Sequence, residues 1–346
     1  MNITMRSYLR SYLRSSLKTL FYLVAFSIAV TFIFSSTNQC YEFQYLDYGT
    51  SEWVTNRYYS SELGIPVTIL AISCYVLPVL EFAFFKKRRN LDCAYALPIS
   101  RREMGIVHYL TGFMLLVVPF SCSYFVNFLL LLRYPGVFNC SLLPEHYCLC
   151  LLFGVCIYSV FVFIFNQANS TGDGIWFVVL WTFVIYLVSE AFDLQYRYMD
   201  ELGAYYYNDY SYMGIPFMTF NELTVSYMEI VDGENQRLIP QIWSESNALI
   251  YIVLWLVLGV ASAIGFYLSF GKQPAQKTEE ISDSWFGYRV MIPVYGICGM
   301  ILFDDPGAWV LIEGIAFVGY MIYRKGFHLK KSDWIVLCML IFFLFV

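Results

Sequence analysis

Three carboxylates stand within or at the edge of long apolar stretches: Glu81, Glu190 and Glu313. A charge kept in such surroundings usually binds a substrate, relays a proton or pairs with another charge. Glu81 lies five residues before Lys86 and is read as pairing with that lysine or reaching past it to water. Glu190 sits near the end of its stretch, and Glu313 is the most embedded. All three are proton-relay candidates, weighed against plain structural pairing. Other chemistry is sparse. The sequence has no G-x-x-x-x-G-K-[ST] phosphate loop, no H-E-x-x-H and no G-x-S-x-G. His108, His146 and His328 stand far apart, and Cys148-Leu-Cys150 is too short a motif for a metal site. No catalytic residue and no metal ligand is expected.

Apolar runs position these carboxylates. The chain is 59% hydrophobic with a mean hydropathy of +0.58, where a soluble domain holds about 45–50% apolar residues. Six runs reach the roughly 20 residues of a membrane span: residues 19–36, 65–85, 106–132, 148–166, 174–192 and 247–270. Weaker runs cover 290–303, 309–323 and 334–346. The runs lack the alternation of a transmembrane β-barrel. The expected fold is an all-α polytopic integral membrane protein, with a six-span core and two to three further C-terminal hydrophobic segments. The last run is too short to span, so either it stays at the interface or, the favoured expectation, the sequence stops inside a span and is part of a longer protein.

Charge orients the spans. With the N-terminus inside, the inner segments hold Arg6, Arg10, Arg14, Lys18, Lys86, Lys87, Arg88, Arg89, Arg101, Arg102, Lys272, Lys277, Arg289, Arg324, Lys325, Lys330 and Lys331, which is 17 of the 21 basic residues. Only Arg57, Arg133, Arg197 and Arg237 fall outside. This is the positive-inside pattern of a multi-pass plasma-membrane protein with a cytoplasmic N-terminus. The acids concentrate in the outer loops, so the pI of 5.3 says nothing of an acidic soluble partner. Nucleic-acid binding has no support. Cys40 and Cys140 fall in different outer segments, and a bond between them is left open.

Between the runs, five segments carry information. Residues 1–18 place Arg6, Arg10, Arg14 and Lys18 every four residues, beside Leu9, Leu13 and Leu17. This reads as an amphipathic helix lying in the inner interface, and a cleaved leader is disfavoured because no cleavage site follows the first run. The outer loop 37–64 is acidic and aromatic, suited to interfacial anchoring or substrate contact. The inner loop 86–105 is basic, then apolar but too short to span. Pro98 disfavours helix at Leu97, and Ser100 with Glu103 spells a capping box for a new helix. A short helix, a break and a restart are therefore expected. The Tyr-rich outer loop 194–246 suits two short helices dipping into the membrane, or a small cap. Residues 271–289 read as a polar cytoplasmic link.

Taken together, the basic segment before the first span, the inner loop Asp92-Cys93-Ala94-Tyr95-Ala96-Leu97-Pro98-Ile99-Ser100-Arg101-Arg102-Glu103 and the six-span plan give the chain a likeness. It resembles the permease subunits of type 2 ATP-binding-cassette exporters of Gram-positive bacteria over roughly residues 1–290. The resemblance implies a separate cytoplasmic ATPase subunit that binds the ATP and Mg, with no cofactor in this chain. It implies a second permease chain, identical or not. It makes residues 86–105 a coupling loop carried by Leu91, Tyr95, Leu97, Pro98, Ile99, Ser100, Arg101, Arg102 and Glu103. Leu97 and Ile99 would be apolar anchors, and Arg101 and Arg102 would pair with acids of the ATPase. The implied cargo is a lipid, peptide or antibiotic-like amphiphile. An ion-coupled secondary transporter and a non-transporting sensor or scaffold are the alternatives.

Overall fold

Backbone amides in hydrocarbon must find partners within their own segment, and this turns the apolar runs into helices. The computed structural model describes residues 3–36, 40–47, 52–59, 63–132, 143–199, 211–228, 246–272, 278–303 and 305–343. In chain order the elements are α1 (Ile3–Ser36), β1 (Cys40–Asp47), β2 (Glu52–Tyr59), α2 (Gly64–Phe82), α3 (Arg88–Tyr95), α4 (Arg101–Leu131), α5 (Leu143–Gln167), α6 (Thr171–Met199), α7 (Pro216–Met228), α8 (Ser246–Ser269), α9 (Tyr288–Leu302), α10 (Pro306–Arg324) and α11 (Lys331–Phe343). Six helices, α1, α2, α4, α5, α6 and α8, contain stretches long and apolar enough to cross a membrane. The fold is an all-α polytopic membrane protein. Cys140 lies outside the described residues, as does the side chain of Cys40, so their pairing is not addressed.

Three features differ from the sequence reading. The loop 37–64 holds an antiparallel hairpin, with Cys40 opposite Tyr59 and Asp47 opposite Glu52. Its tyrosines, valine, threonine and tryptophan favour a pleated strand. Second, residues 3–18 are not a separate helix lying in the interface. They are the first turns of α1, which runs unbroken for 34 residues, about 51 Å against a hydrocarbon core of roughly 30 Å. Third, the C-terminal segments pack as a unit with its own core of Met300, Ala316, Tyr320, Tyr323, Leu337 and Leu340. Within it α9 has 15 residues and α11 has 13, about 23 and 20 Å, each short of a full span.

The centre of the six-helix core is α5, packed against α2, α4, α6, α7 and α8. Ile157, Tyr158, Phe161 and Phe165 on α5 are fully buried. The close α5–α8 approach needs Gly259, where an added Cβ would lie 2.6 Å from Cα of Cys156. Between α6 and α8, α7 packs on α2 and α5, with Phe220 edge-on to Phe153 at 4.8 Å. The outermost core helix, α1, packs mainly on α4 and runs parallel to it. Ser27 Oγ donates to Pro119 O at 3.3 Å, Thr31 and Ser123 share a hydroxyl hydrogen bond at 2.5 Å, and Ser35 Oγ donates to Asn127 Oδ1 at 2.8 Å. Each pair is 92 residues apart, so one face of α1 is held in fixed register. Small hydroxyl residues serve helix association in lipid, where apolar surfaces gain little by meeting.

The segment after α8 is no loose link. Residues 278–287 strap across the turn between α5 and α6. Glu279 N donates to Asn169 O, Ser282 Oγ to Gln167 O, and Ser282 N to Asp173 Oδ2, at 3.0, 2.8 and 3.3 Å. Tyr288 OH donates to Asp173 Oδ1 at 2.9 Å, which starts α9 along α6. At the other end of α10, Lys325 takes a left-handed cap with φ of 55°. Arg324 then grips Asp333 with two hydrogen bonds at 2.7 and 3.0 Å. Burial alone would raise the Asp333 carboxyl. The Arg324 guanidinium and the Lys330 N–H outweigh burial and hold it below its ordinary range.

Two predictions follow from this packing. Gly259→Leu forces α8 off the backbone of α5 and is expected to cost about 1–3 kcal/mol, read as earlier thermal unfolding in detergent; an unchanged melting curve refutes the close approach. Because the Asp333 carboxyl is depressed in the fold, its contribution is present above the ordinary carboxylate range and is lost as pH falls through the folded value. Amide exchange across α11 should therefore quicken on acidification, and Asp333→Asn should abolish that dependence.

Candidate functional site at the basic end of the bundle

Lys86, Arg101 and Lys272 gather at one end of the bundle, where α2, α5 and α8 finish and α4 and α6 begin. There the chain leaves α2 through a short 3-10 turn, Ala83–Lys86. Lys87 is extended, and α3 follows. A proline at 98 disfavours helix at Leu97, and the chain turns through Ala96–Ile99, closed by Ile99 N donating to Leu97 O at 2.8 Å. Ser100 is extended and starts α4 with a full capping box. Its Oγ accepts from Glu103 N at 3.3 Å, and Glu103 Oε2 accepts from Ser100 N at 3.2 Å. The expected helix, break and restart are all present.

The surface of this turn is uneven. Leu97 is 41% exposed, with Pro98, Ser100 and Arg102 exposed beside it and Ile99, Arg101 and Glu103 half-buried. Leu91, at 4% exposure, is turned into the core and anchors α3. The side chain of Tyr95 lies outside the described residues. The first turn of α4 is backed by the end of α8. An added Cβ at Gly105 would meet the Phe270 ring at 2.5 Å, and one at Gly271 would meet Arg102 Cγ at 2.6 Å.

Behind the turn lies a polar cluster the sequence reading does not contain. Glu81 on α2 is buried and faces α1 and α4. Tyr12 OH donates to Glu81 Oε2 at 2.9 Å, His108 Nδ1 stands 3.4 Å from the same oxygen, and Tyr8 OH lies 3.3 Å from His108 Nε2. The imidazole is enclosed by the rings of Tyr12, Phe85 and Phe82 at 4.1, 4.7 and 6.2 Å. The expected pairing of Glu81 with Lys86 is thus replaced by one with His108 and Tyr12. Five residues along a helix turn side chains about 140° apart, so the lysine cannot share the face of the acid. Lys86 is itself buried, and its Nζ donates to Asn166 O at 2.9 Å and Ala168 O at 2.5 Å. A cation there meets the negative end of the α5 dipole.

The remaining candidates are dispersed. Arg6, Arg10, Arg14 and Lys18 are exposed on the side of α1 away from Tyr8 and Tyr12. Glu190 is half-buried and engaged by a neighbour. Glu313 is half-buried on α10, which packs mainly on α9 and α11. His146, noted in the sequence only as distant from the other histidines, is buried between Tyr124 OH at 2.8 Å and Cys150 Sγ at 3.2 Å. Among the described residues no three His, Cys, Asp or Glu side chains are placed to hold a metal.

Ser100→Ala removes one half of the capping box and is expected to destabilise the first turn of α4 by about 1 kcal/mol. Faster amide exchange confined to residues 101–104 would register this; no change there would refute the box. In comparisons with known proteins, no family profile, no curated protein and no solved structure matches the chain.

Proposed function

We propose that the chain is the membrane-spanning permease subunit of an ATP-binding-cassette transporter, worked by a separate ATPase subunit that docks on the turn between α3 and α4. The observation that carries this reading is the turn itself. An exposed Leu97-Pro98 tip lies next to Arg102, and the capping box starts α4 there without a joint. α4 is a single helix of 31 residues, about 46 Å long. A push on its capped end reaches the far side of the bundle. The basic residues at that end support a cytoplasmic location, where ATP and Mg would be bound by the partner. A second permease chain would complete the path, and the apolar lining of such a path suits an amphiphile such as a lipid or a peptide.

A second reading has one observation in its favour. The buried Glu81–His108 pair is the kind of group an ion-coupled transporter uses.

Affinity purification of the tagged chain from its native membrane in mild detergent tests the first reading. An ATPase subunit should come along in stoichiometric amount, and Leu97→Asp with Arg102→Glu should reduce it at least about tenfold, as loss of both an apolar anchor and a charge pair implies. The variant's size-exclusion profile should stay unchanged. Equal recovery of the ATPase with wild type and variant overturns the docking surface. Uptake by vesicles that runs on a proton gradient without ATP favours the second reading.

A further inference from the structure

The cluster behind the turn holds more than a docking surface needs. Glu81 and His108 are 7% and 4% exposed at their side chains, and they come from different helices. The two atoms that face each other, Glu81 Oε2 and His108 Nδ1, are 3.4 Å apart. Yet Nδ1 has no hydrogen-bond partner among the described residues. The other imidazole nitrogen is already met by Tyr8 OH. A carboxylate beside a neutral imidazole leaves one uncompensated charge among the rings of Phe82 and Phe85. Such a charge is expensive away from water, and a single added proton neutralises it.

We propose that Glu81 and His108 form a proton-binding site, which takes one exchangeable proton from water and shares it between the carboxylate and the imidazole. The groups around the pair fit this assignment. From α1 come Tyr8 and Tyr12. From α4 comes Tyr109, whose hydroxyl is occupied by Ser159 at 2.6 Å. From α5 comes Tyr158, whose hydroxyl and Glu81 Cγ both border the space at Gly112. From the turn after α2 comes Lys86, with Nζ directed to the Asn166 and Ala168 carbonyls. The end of α8 adds only rings, Phe266 and Phe270. The phenols carry no charge near neutral pH. No covalent step is involved: the proton passes from water to the pair and back.

The consequence lies in Tyr12. Its O–H donates more strongly to a carboxylate than to a carboxylic acid. With the pair unprotonated, and equally with the proton on His108, Glu81 stays charged and Tyr12 donates to a carboxylate. With the proton on Glu81, that one hydrogen bond weakens, while the hydroxyl seam at Ser27, Thr31 and Ser35 stays as it is.

The chain has only three histidines, so nuclear magnetic resonance of the full chain in nanodiscs, selectively labelled with nitrogen-15 histidine, isolates the site. His108→Gln assigns the signal. Between about pH 5 and about pH 9, the range in which histidines titrate, His108 should show a reversible protonation transition. Glu81→Gln should displace that transition, because the carboxylate 3.4 Å from Nδ1 is gone. Tyr12→Phe, which keeps the ring, should alter the His108 transition by a smaller factor. A His108 signal that holds one tautomer throughout overturns the proposal on the wild-type protein alone. A transition of the same midpoint in Glu81→Gln overturns it equally. Should Glu81→Gln fail to fold, infrared difference spectra of the wild type across the same transition decide: a carboxyl band that changes with His108 supports the shared site, and its absence refutes it. These readouts do not depend on whether an ATPase subunit docks.

Discussion

A carboxylate sealed inside a helix bundle must be given donors or be neutralised, and the basic end of this protein is arranged around that requirement at Glu81. The lysine five residues on is turned the wrong way, so the carboxylate's partners come from elsewhere: Tyr12 from α1 donates a hydrogen bond, and His108 from α4 stands 3.4 Å away. Supplying Tyr12 obliges α1 to run straight past residue 18 and into the bundle. With Tyr8 and Tyr12 pointing inward, the residues half a turn away point outward, so Arg6, Arg10, Arg14 and Lys18 form an exposed basic ridge. One buried acid therefore sets the rotation of α1 and the placement of four cations.

A second set of polar contacts makes that rotation permanent. The hydroxyl seam between α1 and α4 repeats every four residues, and each contact spans the same 92 positions. A slip of either helix by a residue would break all of it. Single contacts of this kind are modest, averaging about 0.6 kcal/mol in lipid. Their value lies in register. The seam holds α1 along the membrane while the Glu81 cluster holds it at the basic end, and the two act on the same pair of helices.

Legibility in the sequence followed the range of the interactions. Ser100, Glu103 and Pro98 act within one turn of chain, and their consequence, a break and a capped restart, is written in the local spelling. The six spans are likewise set by runs of apolar residues. The Glu81–His108 pair joins separate helices, and no spacing announces it. The one available hint was that Lys86 cannot reach back to the face of Glu81. In the first segment two stripes of equal period coexist: cations at positions 6, 10, 14 and 18, and Tyr8, Tyr12 and Ser16. The cations favour an interface and the tyrosines a bundle, and only tertiary packing decides between them. Close approaches such as Gly259 on Cys156 were invisible for the same reason.

The strap of residues 278–287 decides where the α3 turn can give. Arg88 meets it through Thr278 O at 2.9 Å and through Glu279 and Glu280 at 3.9 and 3.7 Å. Those ion pairs are more than half exposed and hold little on their own. The strap's firm points are the hydrogen bonds to Gln167, Asn169 and Asp173, which tie it to the α5–α6 turn. On its other side α3 is followed by the capped start of α4, backed by Phe270. A force applied to α3 therefore meets fixed structure at both neighbours. Between them the chain leaves the helical course only at extended Lys87 and at Ala96–Ser100. Leu91, buried beneath α3, ties the helix to the core between these two segments. Ser100 joins this turn to α4, so the capped start and His108, about two turns further on, belong to one helix.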